Sequence, residues 1–544
     1  MSQTHVVFNQ VPPLVNWDVA DIPVLLESLE REGADWAAPE LHELGRLAGS
    51  AEAQEWGRLA EANPPELLTH DLMGNRLDEV RYDPAYHRLM QTAVESGLHA
   101  APWRDDRPGA HVARAAKFMA WTAADAGHGC PISMTYSSVA ALRLAPELAA
   151  RYEPLLSSAT YDPRSVPATE KAGLIAGMSM TEKQGGSDVR ANTTEAASIG
   201  DGAVSLTGHK WFTSAPMSDV FLVLAQAEGG LSCYLVPRVL PDGTRNAIHI
   251  QRLKDKLGNK SNASGEIEYD GAVGWLVGEE GRGVRTIVEM VNSTRLDCTI
   301  GAAAGMQVGL ARAVHYAMHR KAFGRELVDQ PLMANVLADV AVEAEAATVL
   351  AMRLAGATDR AVRGDEREGL LRRLALPAAK YHTTKRGPIL AAETLECLGG
   401  NGYVEESGMP KLFREAPVLS VWEGSGNVAA LDVLRAMAHE PAAVDVFFDE
   451  VGLAAGADSR LDAAIDRLRS ELADTSTLEV RARRIAESMA QVLAGSLLVR
   501  AGNAAVADAY CASRLGGDWG SVFGTLPVGI DADAIIERAK PKSV

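Results

Sequence analysis

The chain has 544 residues, 47% of them apolar and 23% charged, with a formal net charge of −18. That length allows several domains and a large core, and the acidic balance argues against indiscriminate binding of nucleic acid or an anionic membrane. Cys130, Cys233, Cys298, Cys397 and Cys511 are scattered, without a C-x-x-C pair, so neither a disulfide framework nor a metal site is expected.

The amino terminus, MSQTHVVFNQVPPL, has no basic region followed by an apolar core. No apolar run approaches the roughly 20 residues of a membrane span. A cytoplasmic protein without membrane contact is expected. Residues 1–170 read as an N-terminal helical domain. Apolar residues recur at helical spacing over 111–127 and over 137–150, the second despite Pro146. Pro64-Pro65 and APWRDDRPG at 101–109 mark loops.

The texture changes over 171–280. AVSLTGHKWF, VFLVLAQ, LSCYLVPR, AIHIQRL, GEIEYD and VGWLVG are short apolar stretches separated by Gly, Asp and Asn. They predict a small antiparallel β-barrel or sandwich. Over 281–440 the spacing predicts helices at 283–320, 329–362, 367–397 and 425–439, a helical bundle. Residues 441–544 form a C-terminal helical extension with helices at 459–473 and 477–513, and the Gly-rich tail after Gly516 is expected to be loosely held. The fold class is therefore mainly α with a small β domain.

Five stretches break these periods: MTEKQGGSDV (180–189), KWFTSA (210–215), HRKAFGRELVDQPL (319–332), LGGNGY (398–403) and VWEGSGN (421–427). Each alone has a plain structural use. Gly-Gly-x-Gly ends helices, a strand tryptophan fills a core, and Ser or Asn begins a helix. Together and in this order they resemble the acyl-CoA dehydrogenase superfamily of flavoproteins, over about residues 85–440. M-T-E-x-x-x-G-S-D, R-x-x-F-G-x-x-x-x-x-Q and L-G-G-x-G-Y carry the resemblance. The wording of 180–189, the run VWEGSGNVAALDVLR and the extension past 440 look closest to the AidB-like branch, linked to the response to alkylation damage.

The resemblance implies FAD as cofactor. Met180, Thr181 and Glu182 would contact the polar edge of the flavin, and Ser187 a phosphate. Trp211, Phe212, Thr213 and Ser214 would cover one ring face. Arg320, Phe323 and Gln330 would meet the adenine and phosphate end, usually of a neighbouring subunit's cofactor. Gly399, Gly400, Asn401 and Gly402 would approach the cofactor backbone, and Ser425 and Asn427 would touch it beyond the catalytic carboxylate. No metal is implied. A homotetramer, an acyl-CoA or related substrate and an electron acceptor such as electron-transfer flavoprotein are implied as well.

The family reaction removes an α proton from an acyl thioester while a hydride leaves the β carbon. One buried carboxylate suffices as base. Glu423, in W-E-G-S, stands where most members have it. The position used by other members holds Thr294, before Arg295-Leu296. Trp422 replaces the usual tyrosine. A different class of function, a DNA-associated flavoprotein of the alkylation response, is the alternative. Its cationic candidates are Arg481, Arg483 and Arg484, with Arg500 and Arg514 further along. Residues 441–544 nevertheless hold 11 Lys/Arg against 15 Asp/Glu, a formal charge of −4, which disfavours duplex binding. Oxidation of a small nitro or amine compound on the same fold ranks third.

Overall fold

The computed structural model describes residues 4–542. Two compact units interleave along the chain. A β unit comprises Glu52–Arg107 and Ala124–Asp297, and a helical unit comprises residues up to Ala51, Pro108–Ala123 and those from Cys298 onward.

After the helix Ala51–Ala62 the β unit has a hairpin of β1 (Glu66–His70) and β2 (Arg76–Arg81), inside a region expected to be helical. Its turn is made by Asp71, whose carboxylate accepts from the Met73 and Asn75 amides at 2.8 and 2.9 Å. The main sheet holds β3 (Ala176–Ser179), β4 (Glu195–Gly200), β5 (Ala203–Ser214), β6 (Val220–Ala227), β7 (Gly230–Pro237), β8 (Ile248–Leu253) and β9 (Ser264–Val277). Strands β6, β4, β5, β9 and β7 pair in a ring that closes on β6, a barrel, with β3 added on β6 and β8 on β9. It is mixed rather than antiparallel, because β3 and β4 run parallel to β6. GEIEYD and VGWLVG are one strand, β9.

The run VFLVLA is continuous in sequence because both faces of β6 are covered. Phe221, Val223 and Ala225 join Tyr234, Ile248, Ile267 and Tyr269 in one core. Leu222 and Leu224 join Cys233 and Leu235 in a second, shared with Met134, Leu142, Tyr152 and Leu156 of the helices Gly129–Leu142 and Pro146–Leu156. Each such side chain contributes about 1.5–3 kcal/mol relative to exposure. The helix expected to run through Pro146 stops at Leu142 and restarts at that proline, whose missing N–H costs nothing in a first turn.

In the helical unit the principal helices are α1 (Gly283–His319, whose first turns belong to the β unit), α2 (Pro331–Val362), α3 (Glu366–Glu396), α4 (Gly426–His439) and α5 (Leu478–Ala501). Helix α2 is buried on every side from Leu337 to Asp359. It packs on α3, and α5 packs on α2, α3 and α4, so the extension shares the bundle's core. The helix expected over 477–513 is interrupted by Gly502, at φ +82°, and Asn503 caps the next one through the Val506 amide.

A helix buried all round must pair its charges. Arg514, its side chain 1% exposed, lies 2.6 Å from Asp339 and 2.9 Å from Glu343, and Arg386 lies 3.1 Å from Glu343. Arg353 binds Glu368 at 2.8 Å and Glu450 at 2.9 Å. Burial pushes the Glu343 and Glu450 carboxyls up, but the arginines outweigh it and hold each at about 2. The tail after Gly516 is pinned, not loose, among its described residues up to Lys542. Trp519 Nε1 and the Gly524 amide each donate to Asp339 at 2.9 Å, and Arg538 binds Glu27 at 2.7 Å and Glu345 at 2.8 Å.

Candidate active site

The stretch MTEKQGGSDV leaves β3 and reaches the short turn Val189–Ala191. Its anchor is Glu182, fully buried against Lys210 of β5, with Nζ 2.7 Å from the carboxylate. The same carboxylate accepts from the Thr193 amide at 2.7 Å, from the Thr194 hydroxyl at 2.6 Å and from Gln184 Nε2 at 2.7 Å. Burial alone would raise this carboxyl, and the Lys210, Thr193 and Thr194 donors instead hold it well below the usual range. Burial lowers the Lys210 ammonium to about 8, against the opposing pull of Glu182, so the pair is charged at neutral pH. The Glu182 side chain is thus spent inside the protein, and its carbonyl accepts from the Gly185 amide at 3.0 Å, so the residue as a whole anchors the loop.

Around this anchor the Trp211 amide donates to the Thr181 carbonyl at 2.8 Å, and Asn192 Nδ2 to the Met180 carbonyl at 2.9 Å. The Ser179 and buried Thr213 hydroxyls bond each other. The β5–β9 register shifts between Lys210 and Thr213, so Trp211 and Phe212 lie in a bulge, a device that re-aims side chains. Trp211 is half-buried with Lys254 Nζ 3.3 Å from its ring centre, Phe212 is exposed, and Ser214 is half-buried opposite Ser264. Gly185, Gly186, Ser187 and Asp188 form an exposed tip. A rigid base thereby presents amides, a hydroxyl and an aromatic face.

In the helical unit, β10 (Lys321–Ala322) and β11 (Arg325–Glu326) make a hairpin after α1. Its turn residues Phe323 and Gly324 have φ +53° and +83°, the signature of a type I′ turn. Phe323 is fully exposed at the tip. Arg320 donates to the Asn9 carbonyl, Asn9 Nδ2 donates to the Lys321 carbonyl at 2.9 Å, and Gln330 Nε2 donates to the Ala322 carbonyl at 3.0 Å. Arg320 and Gln330 therefore brace the hairpin.

After α3, Gly399 and Gly400 are exposed, and Asn401 donates to the Tyr316 hydroxyl at 2.9 Å. Gly402 is obligatory, since a Cβ there would lie 2.0 Å from the Leu395 carbonyl oxygen. Glu423 sits half-buried on the turn before α4, at φ +56°, followed by Gly424 at φ +96°. Lys380 Nζ, from α3, donates to the Trp422 carbonyl at 2.7 Å and the Gly424 carbonyl at 2.6 Å. Ser425 is the N-cap residue of α4 without a side-chain capping bond, and it and Asn427 are exposed. Thr294 bonds the Val291 carbonyl of its own helix at 3.0 Å and holds no carboxylate.

Sequence reasoning missed Lys210, Lys380 and Asn9. A lone lysine among the apolar residues of ALPAAKYH is a signal for Lys380, whereas nothing local distinguishes Lys210 or Asn9. The arginines proposed for DNA engage their own chain. Arg481 donates to the Glu471 carbonyl at 2.9 Å, Arg484 pairs with Glu471 at 2.6 Å and Arg483 donates to Tyr381 at 3.0 Å. Arg500 pairs with Glu450 at 2.7 Å, and Arg514 is buried.

Residues 9–163 match the N-terminal domain of the adaptive response protein AidB, 177–272 the acyl-CoA dehydrogenase middle domain and 281–438 the acyl-CoA dehydrogenase C-terminal domain. The chain is 46% identical to AidB of Escherichia coli (strain K12) over 512 residues, 94% of each chain. It is 30% identical to acyl-CoA dehydrogenase family member 11 of Caenorhabditis elegans, over 90% of this chain and 85% of that one. The solved structure of Caenorhabditis elegans ACDH-11 in complex with C11-CoA superposes with a TM-score of 0.85 at 27% identity, covering 99% of this chain and 93% of the other. The chain belongs to the acyl-CoA dehydrogenase family, in the branch that carries the AidB N-terminal domain.

Proposed function

We propose that the protein is an FAD-dependent dehydrogenase that desaturates an acyl-CoA thioester between its α and β carbons, with Glu423 as the base. The observation that carries this reading is the presentation of Glu423, a half-buried carboxylate on a left-handed turn at the head of α4. The ACDH-11 complex with C11-CoA supports an acyl thioester as substrate. An electron-transfer flavoprotein is the proposed acceptor.

The residues present suit a flavin. The tip Gly185–Asp188 offers amides and the Ser187 hydroxyl to a phosphate, Trp211 offers a partly open aromatic face, and at Gly399 and Gly400 no atom lies within 4 Å of where a Cβ would stand. The positions carried over from the family are the proposed contacts, with Phe323 directed to a neighbouring subunit's cofactor. FAD, when bound, supplies the hydride acceptor. Glu423 removes the α proton, and an amide in its place has no basic lone pair for that proton. Glu423→Gln should therefore retain fold and flavin yet lose flavin reduction by any acyl-CoA that reduces the parent. Undiminished reduction in Glu423→Gln would remove Glu423 from the mechanism. The DNA-associated alternative gains no support from the arginines of the extension, which bind their own chain.

A further inference from the structure

We propose that Lys380 is a positioning residue that clamps the Glu423 turn and fixes the direction of its carboxylate. This inference rests on the reading of Glu423 as base and deepens it.

Lys380 has 0% of its surface exposed. Burying an ammonium costs several kcal/mol unless every proton finds an acceptor. Two of its acceptors are the carbonyls on either side of one residue: Trp422 at 2.7 Å and Gly424 at 2.6 Å. That residue is Glu423. Its φ of +56° is a conformation that costs a side-chain-bearing residue about 1–2 kcal/mol. Gly424 continues the turn at φ +96°. Two successive left-handed residues aim both neighbouring carbonyls to one side, and the ammonium holds them there with charge-assisted hydrogen bonds.

The surroundings make the clamp rigid. Lys380 lies in the middle of α3, and α3 packs against both the 3₁₀ segment Ala416–Ser420 that precedes the turn and α4 that follows it. The turn is therefore tied at both ends to the helix that supplies the lysine. A carboxylate on such a turn has its backbone orientation set before substrate arrives. Orientation of this kind acts on the proton-transfer step and not on substrate affinity, since a misplacement of about 1 Å can cost about 100-fold in rate. A neutral donor satisfying one carbonyl would seal the turn without fixing its twist, whereas a single ammonium bridging both carbonyls locks the intervening residue.

The test uses the full chain as purified, with flavin bound, in the parent and in Lys380→Met, Lys380→Gln, Lys380→Arg and Glu423→Gln. Two quantities are read: amide hydrogen exchange over residues 418–428, and the limiting rate and half-saturating concentration for anaerobic flavin reduction by a straight-chain acyl-CoA series. For Lys380→Met we expect a limiting rate reduced about 10- to 100-fold, with half-saturation within about threefold of the parent. Exchange should accelerate at 422–425 and stay at the parental level in the rest of α3 and α4. Lys380→Arg, which keeps the charge and a forked donor, should recover part of the rate. If Lys380→Met does not fold, Lys380→Gln, which retains one donor, carries the same criteria. A limiting rate within twofold of the parent, or unaltered exchange at 422–425, overturns the proposal. So does a loss seen only in half-saturation. Failure of the base assignment is separable: Glu423→Gln would then reduce as fast as the parent, or the parent would not be reduced at all, while the exchange data still decide whether Lys380 holds the turn.

Discussion

At the scale of single residues, two buried cations hold carboxylate-bearing segments in place. Lys210 locks Glu182 at the root of the 180–189 loop, and Lys380 holds the carbonyls beside Glu423. The consequences of substitution differ. Glu182→Gln strands a buried ammonium and should cost about 3–5 kcal/mol. Chemical denaturation followed by tryptophan fluorescence would check it, and a loss under 1 kcal/mol would mean that water or a shifted side chain replaces the pair. Glu423→Gln, by contrast, should leave the unfolding midpoint within about 0.5 kcal/mol, because the amide has the same shape and the residue is only half-buried, and should slow flavin reduction at least about 100-fold. Of these residues only Glu423 and Glu182 were singled out in sequence, Glu423 because W-E-G-S stands where the family places its base. Lys210 was not, because its partner lies 28 positions earlier and only the loop's return to β5 joins them.

At the scale of elements, long helices announced themselves and short polar strands did not. Helices α2 to α4 lie within two residues of the expected spans because their apolar spacing is sustained over many turns. The hairpin of β1 and β2 was hidden, since ELLTH and RLDEVR carry few apolar residues and no Asn-Gly turn. The tail after Gly516 misled for the opposite reason: its glycines suggest mobility, yet they let Trp519 and the Gly524 amide reach the buried Asp339. Arg514, which joins this tail to α2, is the pivotal side chain. Arg514→Ala should destabilise the protein by about 3–5 kcal/mol, measured as a shift in denaturant midpoint. The buried carboxylates paired around α2 set a pH dependence. Glu343 and Glu450 are held at about 2, below an ordinary 4.5, so their stabilisation is complete above 4.5 and disappears as pH falls through about 2. The thermal midpoint should be level from pH 5 to 7 and decline below 4.5, with a shallower decline in Arg514→Ala. An equal decline in both would assign the acid sensitivity elsewhere.

At the scale of the whole molecule, the order of segments along the chain, helices, barrel, bundle and extension, follows from composition and period, but the interleaving of two compact units does not. Residues 108–123 leave the N-terminal stretch to join the bundle, a choice set by tertiary packing on α2 and unseen by any local pattern. Part of the candidate site has the same character. Phe323, fully exposed on a strained turn, has no use visible within the chain and is the proposed reach into a neighbouring subunit. Phe323→Ser should leave the fold unchanged but weaken flavin retention, and, if the protein forms the proposed homotetramer and the hairpin seals its interface, should shift it toward smaller species in sedimentation velocity. Full retention of flavin by a monomeric protein would contradict this assembly. The central claim, a flavin site competent to oxidise an acyl thioester, is tested most directly by anaerobic titration of the flavin-loaded protein with a series of acyl-CoAs while the visible flavin absorbance is followed. The account predicts bleaching by at least one chain length in the parent and none by that compound in Glu423→Gln; a parent that keeps its full absorbance with every acyl-CoA, while a chemical reductant bleaches it normally, would contradict the account.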